Sequence, residues 1–554
     1  MTGKAAPFTH DGQDAGAPQQ PAGGGIARAA ALIAGLTVVA RLLGLIRTAV
    51  FAKTVGAYCL GTAYVTANTL PNIIYDIVLG GALTSLMVPL LARPAHRSAT
   101  DQFAAAEVAQ TSSALLTWTV LILAPVSLAI ALASGPLAGL LYPANPEAHC
   151  AQAPLVATTG NMLAVFAPQI VLYGLAVVLY GILQAHQRFA APALAPVISS
   201  LAVIAAYLIF VPFGGSFHTA SNLAGLPLSA ELILSVGTTV GVAALVLTAL
   251  VPVARQRIRL RPTLRFPAGV RRRGGGLVLY GITALLTQDA ALLVVIVLAN
   301  GHGSKAAVVL YQYGWQVFET AYAVLAISVA VSAFPALAIR QGEDFDRTAA
   351  GSVRAVLLMS FLGSALLLAL AVPASRFLVP PGQVGQLAAG IALFAPGLVG
   401  YGLVASLSRV LLAAGRTRAA AFCVGGGWLV VVVADVVLVA FATGPSVVAM
   451  LALGNTVGLT AAGLALVIAV RRTCRPAALA GAGRAAVTGL AAAVVGAGAG
   501  AIAAAAFPVA GAAAEGLIAV LALLVALVAF AGVALVLDGG ELRAAAAKVW
   551  RVVP

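Results

Sequence analysis

Two arginines, Arg41 and Arg47, stand inside a run of apolar residues, where a guanidinium has chemistry only with an anion or a buried acid. On a helix expected over residues 31–52, Arg41 lies about 15 Å from either end, too deep to reach an interface comfortably. Facing lipid there would cost about 2.5–3.5 kcal/mol. Arg47 is nearer one end. The two are about 9 Å apart along the axis and roughly 120° apart around it, with Gly44 between them, which suits a broad wet cavity that receives an anion. The alternative for Arg41 is an ion pair with Asp76 or another buried acid. Asp76, Asp289, Glu319 and Asp435 all lie within apolar runs, and each is a candidate coupling-ion ligand, proton carrier or arginine partner. Pro71-Asn72 and Gly80-Gly81 interrupt the second apolar run, either as backbone lining a cavity or as a simple kink.

Nothing in the sequence assembles a catalytic constellation. The six histidines have no ligand spacing, and Cys59, Cys150, Cys423 and Cys474 are too scattered for a zinc or redox motif. Cys59 and Cys150 fall on the same expected outer side, but pairing cannot be read from spacing, and no disulfide is expected there. No GxxxxGK[ST] motif is present to use ATP, and no cofactor is expected. The connections between apolar runs reach only about twenty residues, too short for the soluble domain a membrane enzyme would need.

The elements that position these residues are membrane helices. Of 554 residues, 61% are hydrophobic and 8% charged, against roughly 25% charged in a soluble domain. The expected class is an all-α polytopic membrane protein of about fourteen transmembrane helices. These are expected at 31–52, 60–92, 109–133, 156–184, 191–213, 230–253, 274–300, 306–338, 352–379, 386–414, 419–443, 446–470, 484–508 and 512–537. The net charge of +15 belongs to topology, since basic residues occupy loops without aromatic interleaving; no nucleic acid partner is expected. Of the 31 basic residues, all but Arg41, Arg47, Lys53, Lys305 and Arg376 fall in even-numbered loops, the two tails or their helix flanks. That alternation predicts both termini on the cytoplasmic side.

Two halves are visible as a repeat. Phe166-Ala167-Pro168, Tyr173-Gly174-Leu175 and Arg188 recur 228 residues later as Phe394-Ala395-Pro396, Tyr401-Gly402-Leu403 and Arg416, with 12 identities in the 26 positions from 166 to 191. A repeat of six helices keeps orientation, so the lobes are expected to be related by a pseudo-twofold axis along the membrane normal. The organisation read from this is a disordered tail over 1–25, an N-lobe over 26–253, a basic linker over 254–273 carrying Arg255 to Arg273, a C-lobe over 274–470, and two further helices with a tail over 471–554.

The stretch Ala40-Arg41-Leu42-Leu43-Gly44-Leu45-Ile46-Arg47, with Gly56-Ala57, Ala63-Tyr64, Leu70-Pro71-Asn72, Gly81-Ala82 and Val88-Pro89, resembles the opening signature of the MurJ/MviN family of lipid II flippases. The helix count, the six-plus-six repeat and the two extra helices are similar too. The resemblance implies a fold of the multidrug/oligosaccharidyl-lipid/polysaccharide exporter type in a bacterial cell membrane. It implies an undecaprenyl-pyrophosphate-linked glycolipid as substrate, with membrane lipids and cell-wall synthesis or division proteins around it. Family arginines lining a cationic cavity map onto Arg41 and Arg47, and a lipid-tail groove onto 484–537. Asn72, Gln316 and Glu319 join these as expected substrate contacts. Glu319 matches a family glutamate, whereas Gln316 and Tyr75 stand where the family has arginines, Thr62 and Gly80 where it has acids, and Val294 near its seventh-helix acid. The cavity has therefore lost positive charge. Two rivals stay open: a cation-coupled exporter of small amphipathic molecules, and a non-transporting scaffold for envelope assembly.

Overall fold

A computed structural model of the chain describes residues 23–77, 102–145, 150–256, 260–266, 275–304, 306–506 and 511–550. Residues 1–22 of the tail, the Gly80-Gly81 pair, Val88-Pro89, Lys305 and the linker residues Arg257, Arg259, Arg271, Arg272 and Arg273 lie outside them. All regular structure among the described residues is helical. The main helices are α1 (Gly23–Thr54), α2 (Cys59–Ile77), α3 (Gln102–Leu132), α4 (Gln152–Ala185), α5 (Ala190–Gly214), α6 (Leu228–Arg255), α7 (Gly275–His302), α8 (Ala307–Ile339), α9 (Gly342–Leu378), α10 (Pro381–Ala413), α11 (Thr417–Ala440), α12 (Val447–Thr473), α13 (Ala482–Ala505) and α14 (Ala512–Trp550). Twelve helices among the described residues are long and apolar enough to cross a membrane, and they fall on the third to fourteenth expected spans. The helices α1 and α2, which carry Arg41, Arg47 and Asp76, stand beside them. The chain is a multi-pass membrane protein.

Helix packing follows the same pattern twice. In the first six helices α1 lies on α5, α5 on α6, α2 on α4 and α3 on α4; in the next six α7 lies on α11, α11 on α12, α8 on α10 and α9 on α10. Each repeated Phe-Ala-Pro interrupts its helix, α4 after Phe166 and α10 after Phe394, because proline supplies no N–H to continue the ladder. Hydroxyls from neighbouring helices donate to carbonyls around each break. Ser127 of α3 donates to the Ala167 carbonyl at 2.8 Å, and Ser364 of α9 to that of Ala395 at 2.7 Å. Thr239 of α6 donates to Val165 at 3.2 Å, and Thr456 of α12 to Leu393 at 2.5 Å. Two turns further on, Gly174 and Gly402 let α4 and α10 approach α3 and α9: a Cβ at Gly174 would strike Leu123 and Thr119, and one at Gly402 would strike Ser360.

By contrast, α2 stays helical through Pro71-Asn72, so no break occurs at that pair. Departures from α geometry appear instead at the two Phe-Ala-Pro sites and in a π-helical turn of α8 at Tyr322–Ile327. The last two helices pack on each other and on α9; Gly496 and Gly500 of α13 face the Ala526 and Ala522 carbonyls of α14 across a contact too close for larger residues.

The end of the bundle where α1 finishes and α2 begins is closed between the two sets of six helices. Gln383 donates to the Ala57 carbonyl at 2.9 Å, and the Lys53 ammonium sits 5.3 Å from the centre of the Phe377 ring. The expectation of no disulfide is corrected here. Cys59 and Cys150 are bridged, with 5.8 Å between their Cα atoms. Folding back the α3–α4 connection brings together positions that sequence separates by 91 residues, which is why spacing carried no sign of it.

Candidate substrate cavity

Where α1 meets α8, midway along both, Arg41 Nη1 lies 3.2 Å from Glu319 Oε1. This is the ion pair the sequence left open, made with Glu319 rather than Asp76. Both side chains keep about two fifths of their surface exposed, 40% and 38%, so the pair is wet, and such a pair is worth about 0–1 kcal/mol. Two more acids face the same region. Asp76 of α2 interacts electrostatically with Glu319, and Asp289 of α7 with Asp76. Asp289 is buried, and its Oδ2 has no hydrogen-bond partner.

Arg47 stands nearly two turns along α1 from Arg41, half-buried, where its charge acts on the hydroxyls of Tyr64, Tyr173 and Tyr207. No acid lies within ion-pair distance of it among the described residues. Asn72 accepts a hydrogen bond from the Tyr173 hydroxyl at 3.0 Å, and the Tyr173 ring packs against Tyr75 at 4.4 Å. Gln316 is half-buried one turn before Glu319, and its carbonyl accepts the Thr320 hydroxyl. Asp435 does not join this group. It is fully buried on α11 against Gly454 of α12, with neither carboxylate oxygen hydrogen-bonded.

An aromatic framework surrounds these residues in duplicate, and sequence reasoning passed over it. Tyr64 packs on Phe166 at 5.6 Å and Tyr311 on Phe394 at 5.4 Å; Tyr75 packs on Tyr173 at 4.4 Å and Tyr322 on Tyr401 at 3.9 Å. Along α2 the order is Tyr64, Asn72, Tyr75; along α8, with identical spacing, it is Tyr311, Glu319, Tyr322. Asn72 and Glu319 are thus matching positions of the two halves, one neutral and one acidic. The signal was two tyrosines eleven residues apart in both helices. Arg409 of α10 was also missed: it is half-buried, donates to the Ala405 carbonyl at 2.6 Å, and its charge acts on Tyr322.

A many-helix membrane bundle of two like halves, with wet ionisable side chains where they meet, is the architecture of a transporter. The family model described as lipid II flippase MurJ matches residues 51–535. This chain therefore belongs to the MurJ family, a family of transporters and not of enzymes. Among curated proteins it is similar to the lipid II flippase MurJ of Burkholderia cenocepacia, 29% identical over 191 residues, and to the probable lipid II flippase MurJ of a Synechocystis species, 26% identical over 249 residues. Those alignments cover 33% and 44% of this chain, and 34% and 43% of the two relatives. In fold it is similar to a solved lipid II flippase MurJ in an inward closed conformation, with a TM-score of 0.67 at 17% identity over 89% of this chain and 97% of the other. A MATE family multidrug resistance transporter of the MOP superfamily, inward-facing, follows at 0.61 and 15% over 78% and 94%.

Proposed function

We propose that this protein moves a lipid-linked peptidoglycan precursor, an undecaprenyl-pyrophosphate glycolipid of the lipid II type, from the cytoplasmic to the outer leaflet by alternating access. The observation that carries the reading is the family match over 51–535 together with Arg41 held midway along its helix between two like six-helix halves. The halves are the lobes 26–253 and 274–470, joined by the basic linker 254–273, with both termini cytoplasmic and the closed α1–α2 rim facing outward. In this state the cavity admits substrate from the cytoplasmic side. Arg47 offers the pyrophosphate an unpaired cation, and Arg41 becomes available when the anion displaces Glu319. Asn72 and Gln316 supply neutral hydrogen bonds to the head group. Return of the empty carrier is driven by the membrane potential or an ion gradient, acting on the charges in the cavity.

The test is depletion of the protein in its host, with measurement of lipid-linked precursor in each leaflet. Lipid II accumulates in the inner leaflet if the reading holds, and an unchanged distribution ends it. A second reading, a cation-coupled exporter of small amphipathic molecules, draws on the similarity of fold to MATE transporters and on the neutral Gln316 and Tyr75. A drug-sensitivity phenotype with intact wall synthesis favours that one.

A further inference from the structure

The α3–α4 connection is built as a clasp over the closed rim, and the cavity residues do not account for it. Asn145, in this connection, reaches across to the other half and donates its Nδ2 to the carbonyls of Asn300 and Gly303, each at 3.0 Å. Those carbonyls belong to the C-terminal turn of α7, where helix geometry leaves them without partners of their own. The exchange is reciprocal. Asn300, nearly buried, donates its Nδ2 to the Leu141 carbonyl at 3.0 Å and to Thr66 Oγ1 of α2 at 3.3 Å.

The connection is held on its own side by three further anchors. The Tyr142 hydroxyl is hydrogen-bonded to Thr159 at 3.0 Å, Gln152 donates to the Tyr142 carbonyl at 3.0 Å, and Cys150 is bonded to Cys59 at the start of α2. A loop fixed at both ends loses little entropy when its middle docks, so the disulfide favours the closed clasp by limiting what the open loop can gain.

We propose that residues 141–145 and 150–152 of the connection, tied down by the Cys59–Cys150 disulfide, latch the outer rim shut, with Asn145 and Asn300 as the positioning residues that hold the two halves together there. The latch must release for the outward-open state to form. Oxidation outside the cytoplasm sets the strength of the latch, since disulfides persist in that compartment. This rests on the proposed transporter reading only in requiring that the rim opens, and it is measured without substrate.

The test uses the full chain in lipid nanodiscs with Cys423→Ala and Cys474→Ala. Spin labels are attached without reductant at Ala224→Cys, on the exposed α5–α6 connection, and Gly382→Cys, exposed at the start of α10. Distances between the labels are measured in this background, with Asn145→Asp, and with Cys59→Ser plus Cys150→Ser. Asn145→Asp keeps the shape of the side chain and removes both N–H donors. Asn145→Asp, which loses two hydrogen bonds, is expected to raise the ratio of the longer to the shorter separation at least about fivefold, the factor one ordinary hydrogen bond provides, and removal of the disulfide is expected to raise it as well. An unchanged distance distribution in both variants overturns the latch. So does a change that appears only alongside a fall in thermal midpoint, because that reports a loosened fold. Failure of lipid II to accumulate on depletion would leave these distances as they are, so the two readings fail separately.

Discussion

At the scale of single residues, Arg41 and Glu319 form a pair whose worth to the fold is small and which the proposed function assigns to the substrate. Both are two-fifths exposed, so removing the pair is expected to cost about 1 kcal/mol or less. The swapped variant Arg41→Glu with Glu319→Arg should keep expression and thermal midpoint near wild type while losing complementation of the depleted host. Restored transport in the swapped protein would show that the pair matters only as a pair, and that Arg41 does not receive the substrate. Arg47 has no acid within ion-pair distance among the described residues. Arg47→Ala is therefore expected to weaken binding of a pyrophosphate lipid by about tenfold or more, while Arg47→Lys, which keeps charge but loses the planar fork, retains part of it. Titration of the purified protein with undecaprenyl pyrophosphate in nanodiscs separates the two.

Helices carry the next level. Ser127 and Ser364 each donate to the carbonyl just before the proline, in corresponding places of α4 and α10. Ser127→Ala and Ser364→Ala should each cost about 1 kcal/mol, and the double variant close to the sum, because the sites lie in different halves. Thermal unfolding followed by intrinsic fluorescence checks this; a double variant no less stable than either single one would mean the caps are dispensable. Gly402→Val is expected to be more damaging than either, since the added carbons meet Ser360 of α9 where the two helices touch. The helix elements themselves were legible early, as the twelve qualifying helices fall on expected spans. The break in α4 and α10 was marked by the repeated Phe-Ala-Pro, but Pro71 in α2 carried the same local signal and left its helix unbroken. Proline states only which N–H is missing; packing around the freed carbonyl decides whether the chain bends.

For the molecule as a whole, the arrangement of basic residues makes a topology statement that can be checked directly. A reporter active only in the cytoplasm should work when fused after Pro554 or within the linker near Arg265, and one active only outside should work when inserted in the α5–α6 connection near Ala224. A cytoplasmic signal from the α5–α6 connection would reverse the orientation and place the closed rim inside. An outside signal from the α5–α6 connection would also place the Cys59–Cys150 bridge on the oxidising side. With the rim shut and the halves joined through Arg41 and Glu319, the described state is closed at the end where α1 finishes and α2 begins.

Composition and periodicity alone were enough for the bilayer as solvent and the approximate position of the third to fourteenth helices, because hydrophobic length and loop charge act locally along the chain. The two mid-helix arginines could also be recognised as needing an anion, since burying a charge is costly wherever its helix packs. Which acid answers Arg41, that Asp435 lies apart from that pair, and that Cys59 meets Cys150 all depend on how helices pack against one another. Those contacts join residues tens to hundreds of positions apart, and spacing along a chain holds no information about distance across a bundle until its faces are assigned to neighbours.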